Sequence, residues 1–156
     1  MSAGRCRAAG PADIPTLVAL MGEFYAEAGF ALPVEPATHA FASLIADPAL
    51  GAVWLLEEGG ESVGYVVLTL CYAMEYGGLR GFVDDLFVRE SARGRGLGGA
   101  AMAALRRAAV ERGVRALQVE VGPANDVARR LYERSGLAEN GRLLLTLPLA
   151  PAVHEG

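Results

Sequence analysis

Arg93-Gly94-Arg95-Gly96-Leu97-Gly98-Gly99 stands between the strand-like run Phe82 to Val88 (FVDDLFV) and a helix-like run from Leu97 to Arg112. A loop of this composition at the mouth of a helix is suited to phosphate. Glycine permits the turn, its missing side chain lets a ligand oxygen reach the backbone amides, and the helix N-terminus adds a favourable dipole. Arg93 and Arg95 contribute positive charge. The segment points to a phosphate-bearing ligand rather than to a solvated surface loop.

Two patterns overlap in it. Arg93, Gly96 and Gly98 form Arg-x-x-Gly-x-Gly, while Gly94, Gly96 and Gly99 form the Gly-x-Gly-x-x-Gly of dinucleotide folds, with Glu120 near the expected distance in the strand-like run Ala116 to Val121. The surrounding chain argues against a dinucleotide domain. Such a domain opens on the strand entering its glycine turn and needs several further strand-helix units, whereas only Gly122 to Gly156 follows Val121. Arg89 to Arg93 also separate Val88 from Gly94 where the dinucleotide turn is tighter, and no Gly-Lys-Ser/Thr follows to make a Walker loop.

At 156 residues, 53% of them hydrophobic, the chain is expected to fold as one domain over 1–156, with residues 150–156 as a flexible tail. The net charge of -4 is dispersed rather than gathered in a run, which argues against nucleic acid as a partner. Cys6 and Cys71 read as free thiols, the second buried at the end of the apolar run Tyr65 to Cys71. His39, on a helix surface, and His154, in the tail, are far apart, so no metal site is expected. No apolar signal core is visible at the N-terminus, and the stretch around Val66 to Leu70 is too short to span a bilayer. The protein is expected to be cytoplasmic, with no membrane partner.

Outward from the loop, hydrophobic period assigns the elements. After a short strand near Arg5 to Ala9, Asp13 is placed to cap a helix carrying Leu17, Leu20, Met21 and Phe24 on one face and ending at Gly29. A second helix is expected from Pro36 to Ala46, stopped by Asp47-Pro48. Ala52 to Glu57 and Val63 to Tyr72 read as a hairpin about Gly59-Gly60, with Trp54 in the core and Phe82 to Val88 as the next strand of a meander. The stripe Leu97, Ala101, Leu105, Ala108 marks the helix after the loop, ended by Gly113. That helix makes Ala116 to Val121 a parallel crossover partner of Phe82 to Val88. A last helix from Asn125 to Ser135 and a closing strand from Arg142 to Leu147 complete the expectation.

Asp84-Asp85-Leu86-Phe87-Val88, the loop Arg93 to Gly99, and the later Asn125-x-x-Ala128-x-x-Leu131-Tyr132-Glu133-x-x-Gly136 together resemble the GNAT superfamily of acetyl-CoA-dependent N-acetyltransferases. A glycine loop alone is weak, but its pairing with this later helix is specific, and the resemblance extends over almost the whole chain. It implies an α/β fold: a mixed, mostly antiparallel sheet, splayed at its centre and flanked by about four helices. Acetyl-CoA, as co-substrate, is then expected in the splay between Phe82–Val88 and Ala116–Val121. Its pyrophosphate would rest on Arg93, Gly94, Arg95, Gly96, Leu97, Gly98 and Gly99, and its pantetheine arm would pair with the backbone of Leu86, Phe87 and Val88 like an added strand. Asn125, Ala128 and Tyr132 complete the implied cofactor contacts. In the family a backbone N–H near a bulge polarises the acetyl carbonyl, and Phe87 is the expected donor.

By the same resemblance Tyr132 donates to the leaving thiolate; the alternative is a ring packed on the sheet. Asn125 either contacts the cofactor or caps its helix. Alternation sends Asp84 and Asp85 to opposite faces unless a bulge intervenes. Spermidine/spermine and aminosugar acetyltransferases have an acid in this region that binds or deprotonates the amine, which leaves a structural acid bonded to backbone or to Arg80 as the plain alternative. Glu23, Tyr25, Glu27, Tyr72, Glu75 and Tyr76 flank the implied acceptor site. The expected activity is direct acetyl transfer to a primary amine in a ternary complex, the acceptor a small cationic amine such as a polyamine, aminosugar or amino-acid derivative. A protein N-terminus or lysine as acceptor, and a non-catalytic acyl-CoA-binding module, are the alternatives. A homodimer paired through Arg142 to Leu147 is a further expectation.

Overall fold

The computed structural model describes residues 5–155; residues 1–4 and 156 of the expected domain lie outside the described residues. Strands β1 (Arg5–Ala8), β2 (Gly51–Glu58), β3 (Glu61–Ala73), β4 (Gly78–Val88) and β5 (Leu117–Gln118) form one sheet in sequence order. Neighbours are antiparallel except β4 and β5, which are parallel across the helical crossover. Helices α1 (Ile14–Glu27) and α2 (Val34–Ala46) precede the hairpin; α3 (Leu97–Glu111) and α4 (Asp126–Arg134) follow the glycine loop. This is the mixed α/β architecture that the periodicities imply.

Alternation divides the core between the two faces. Leu55, Tyr65, Val67 and Phe87 pack against Leu17 and Leu20 of α1 and Phe41 of α2. Their sequence neighbours Trp54, Leu56, Val66 and Leu68 pack on the other face with Leu105 of α3 and Tyr132 of α4. Leu17, Leu55 and Leu105 are fully buried, so truncating any one to alanine is expected to cost about 2 to 5 kcal/mol.

Several local expectations are corrected. Asp13 stands at the N-cap of α1 but makes no capping bond. Its carboxylate instead accepts from the Gly10 amide and pairs with Arg7, which holds it below the usual carboxylate range. α2 begins at Val34, ahead of Pro36. Cys71 is exposed rather than buried, because β3 runs on beyond the edge of the core; Cys6 is half-buried, and burial pushes its thiol up.

Two corrections concern strands. Of the run Ala116 to Val121, only Leu117 and Gln118 pair, opposite Gly81 and Phe82. β4 continues to Val88 without a strand on that side, so the sheet opens there. Arg142 to Leu147 is not in the sheet: the segment is exposed, with Leu143, Leu145 and Leu147 at 90%, 88% and 81% exposure. Alternating leucines qualify a segment for a strand, but no described edge pairs with it. Beyond it, Val153 packs on the α1 face and the His154 ring lies 4.4 Å from that of Phe30, so this part of the expected tail is seated on the core. No helix among the described residues is long and apolar enough to cross a membrane.

Candidate active site

The site is built on an irregularity in β4. Val67 lies opposite Asp85 while Leu68 lies opposite Val83, so Asp84 is the extra residue of a β-bulge. Val83 and Leu86 pack on the α3 face. Asp84 and Asp85 both turn to the α1–α2 face, where they line one pocket of about 380 Å³. Strict alternation would have separated them.

The bulge also decides which backbone groups face the open side of β4. Before it, the Gly81 amide donates to Ala116 of the β5 segment at 2.9 Å. After it, the Arg89 amide donates to Val63 at 2.7 Å. With Phe87 opposite Tyr65 in the same register, alternation of the ladder makes these two a hydrogen-bonded pair and turns the amides of Leu86 and Val88 toward the splay. Phe87 is therefore not an outward donor, contrary to expectation. Its side chain is buried and stacks on Phe24 with centroids 5.4 Å apart.

At the end of β4 the glycine loop turns into α3. Gly94 and Gly96 have φ of 76° and 81°, the left-handed region that glycine enters without strain. Gly96 occupies the N-cap of α3 without a side-chain cap, and no acid stands in the first turn. The first-turn amides of Leu97, Gly98 and Gly99 thus lack helical acceptors and suit a phosphate. Gly98 also serves packing, since a Cβ there would stand 3.0 Å from Leu131 Cδ2 and its smallness lets α4 close on α3. The loop arginines are matched by acids. Arg93 pairs with Glu27 at 2.7 Å and donates from Nε to the Val88 carbonyl at 2.8 Å, while Arg95 pairs with Glu58. Exposed pairs of this kind exchange readily for another anion. Outward amides on an open strand edge, followed by an uncapped glycine turn, fit an extended ligand ending in phosphate such as acetyl-CoA.

On α4, Asn125 Oδ1 accepts from the Ala128 amide at 3.1 Å, so the structure contains the capping role. Tyr132 is buried in the second core, yet its hydroxyl is not among the sealed, unpartnered polar atoms of the described residues. Burial first, and the charge of Asp85 second, push its phenol up to about 12. It holds its proton at any physiological pH.

Asp85 accepts a hydrogen bond from the Tyr65 hydroxyl at 2.9 Å. Burial raises its carboxyl to about 6 against the lowering effect of that bond, with the Asp84 charge adding a smaller push upward. Partial desolvation also raises Asp84, although that residue is exposed at the pocket mouth. Neither acid has an arginine partner among the described residues. Arg80, the alternative partner, instead stacks over Phe82 at 5.3 Å, its Nε without an acceptor. Sequence reasoning missed Tyr65. The available signal was a hydroxyl-bearing ring inside an apolar run, and its meaning depends on the register with β4.

The residues expected around the acceptor are not gathered in this pocket. Glu23 and Glu27 pair with Arg89 and Arg93, and Glu75 pairs with Arg142. Tyr72 is 63% exposed. Tyr25 is close enough to both acids for their charges, after burial, to raise its phenol. No group of three or more histidine, cysteine, aspartate or glutamate side chains among the described residues is placed to hold a metal ion.

Comparison with known proteins agrees with this geometry. The acetyltransferase (GNAT) family matches residues 17–137, and the chain belongs to that family. An integron cassette protein from the mobile metagenome of Cole Harbour Salt Marsh is 54% identical, covers 96% of this chain and 93% of its own, and superposes with a TM-score of 0.90. A predicted acetyltransferase from Clostridium acetobutylicum, solved with acetyl-CoA, is 18% identical at a TM-score of 0.78, covering 92% of this chain and 96% of its own. An aminoglycoside acetyltransferase from an uncultured soil metagenomic sample, solved with sisomicin, is 16% identical at 0.78, covering 95% and 97%. No curated protein matches. The chain is an acetyltransferase of the GNAT class.

Proposed function

We propose that the protein transfers an acetyl group from acetyl-CoA directly to a primary amine held beside Asp84 and Asp85. The observation that carries this reading is the bulge, which sets both acids in one pocket next to the open edge of β4. Bound acetyl-CoA supplies an acetyl carbon already activated by its sulfur. The outward amides of Leu86 and Val88 align and polarise that group, the part first expected of Phe87. First-turn amides of α3, with Arg93 and Arg95, hold the phosphates.

Asp85 takes the proton of the ammonium, directly or through water, so that the nitrogen lone pair is free to form the C–N bond. A carboxylate near 6 is a stronger base than an ordinary one and is still ionised at neutral pH. As the C–S bond breaks, the Tyr132 hydroxyl gives its proton to the departing sulfur, and the second proton that the nitrogen sheds on becoming an amide restores the phenol through water. Release of CoA thiol on adding amines, with Asp85→Asn losing most of it at unchanged acetyl-CoA affinity, tests the reading; equal rates for the variant refute the role of Asp85.

Two copies of the chain are part of the proposal. The alternating exposed leucines of 142–147 and the free outer edge of β5 are both elements that strand pairing between copies would cover. Light scattering gives the mass: a dimer converted to monomer by Leu143→Ser with Leu145→Ser supports pairing through the segment. A wild-type monomer refutes it.

A further inference from the structure

We propose that the acceptor is a primary monoamine on a small apolar body, an alkylamine or arylalkylamine, rather than a polyamine or an aminosugar. This inference rests on the acetyl-transfer reading above and narrows it. Apolar side chains, Met21, Phe41, Leu44, Leu50 and Leu70 among them, line most of the acceptor pocket. Its polar groups are the two acids, side by side on the bulge, and the hydroxyls of Ser43 and Thr69. Negative charge is therefore concentrated at one spot in an apolar surround.

Such a lining discriminates by what it leaves unpaired. A polyamine brings further ammonium groups along its length, and each needs a partner once desolvated. The nearby carboxylates do not supply them, because Glu23, Glu27 and Glu75 all lie outside the lining of this pocket, and Glu23 and Glu75 are each engaged by an arginine. An aminosugar brings several hydroxyls, and each one buried without a partner carries a desolvation penalty. An apolar body meets neither penalty and gains from burial. The volume of about 380 Å³ lies near the lower end of the range of about 300 to 1,000 Å³ common for ligand sites.

The test compares kcat/KM for CoA thiol release at saturating acetyl-CoA and fixed pH, with 2-phenylethylamine and hexylamine against spermidine and sisomicin. The apolar amines are expected to lead by about tenfold or more, equivalent to about 1.4 kcal/mol of transition-state preference. Ser43→Asp, which adds a carboxylate to the lining, is expected to move the preference several-fold toward spermidine. Spermidine or sisomicin as the better wild-type acceptor overturns the inference while acetyl transfer stands. An unmoved preference in a folded Ser43→Asp variant overturns the assignment of this pocket. Thiol release with none of the four amines, from protein that binds acetyl-CoA, overturns the transfer reading along with it.

Discussion

The Tyr65 hydroxyl donates to Asp85 Oδ2 at 2.9 Å, tying the middle of β3 to the bulged strand beside it. The bond favours the ionised carboxylate and opposes the upward push of burial. Tyr65→Phe removes it while keeping the ring in the core. With Asp85 as the proposed base, its carboxyl near 6 is expected to set the acidic limb of the pH–rate profile, and the variant is expected to move that limb upward by about one unit, given about 1.5 kcal/mol for a hydrogen bond to a charged group. A limb that stays in place argues that Asp85 does not carry it.

Asp85 is also expected to make the fold less stable as the solution becomes less acidic. Its carboxyl titrates near 6 when folded and near about 4 when unfolded, so the folded chain holds the proton more tightly between those values. The contribution of Asp85 to stability is greatest below about pH 4 and falls as pH rises through 6, reaching a deficit of up to about 3 kcal/mol. Asp85→Asn is expected to raise the urea midpoint at neutral pH and leave it unchanged below about pH 4. A uniform shift at all pH values would assign the effect to packing instead.

Tyr132→Phe keeps the buried ring and removes the proton donor. If donation to sulfur contributes over about 1.4 kcal/mol, kcat falls more than about tenfold with acetyl-CoA affinity unchanged. Single-turnover rates isolate the chemical step, and an unchanged rate there excludes the role.

Gly64 faces β4 where a Cβ would stand 2.2 Å from the Phe87 carbonyl oxygen. The closest obstacle is backbone of β4, the Phe87 oxygen with Val88 Cα beside it, rather than a side chain that can swing aside, so Gly64→Ala must push β4 outward at the start of the splay. Loss of at least about 2 kcal/mol of stability is expected, in the range of overpacked sites. Thermal unfolding measures it, and a near-neutral result would mean β4 is free to move there.

These outcomes mark which parts of the protein were legible in its sequence. The glycine loop and the last helix, expected from Asn125 to Ser135 and found at Asp126–Arg134, were, because backbone turns and caps depend on residues close together in the chain. The face shared by Asp84 and Asp85 was not, since it follows from β4 skipping a residue against Val67 and Leu68. The same skip moved the outward amides from Phe87 to its neighbours. Tyr65 stayed hidden because its hydroxyl has meaning only against the adjacent strand. Leu143, Leu145 and Leu147 carry the period of a strand, but a period does not name a partner.

Titration of the folded protein with acetyl-CoA in a calorimeter, alongside Gly96→Val, tests the central claim most directly. Saturable binding by the wild-type chain is expected, weakened about tenfold or more in the variant, because a β-branched residue resists the φ of 81° at that position. Equal affinity of the two would contradict the placement of the phosphates on the loop, and absence of binding by folded wild-type protein would contradict the account of β4 and α3 as an acetyl-CoA site.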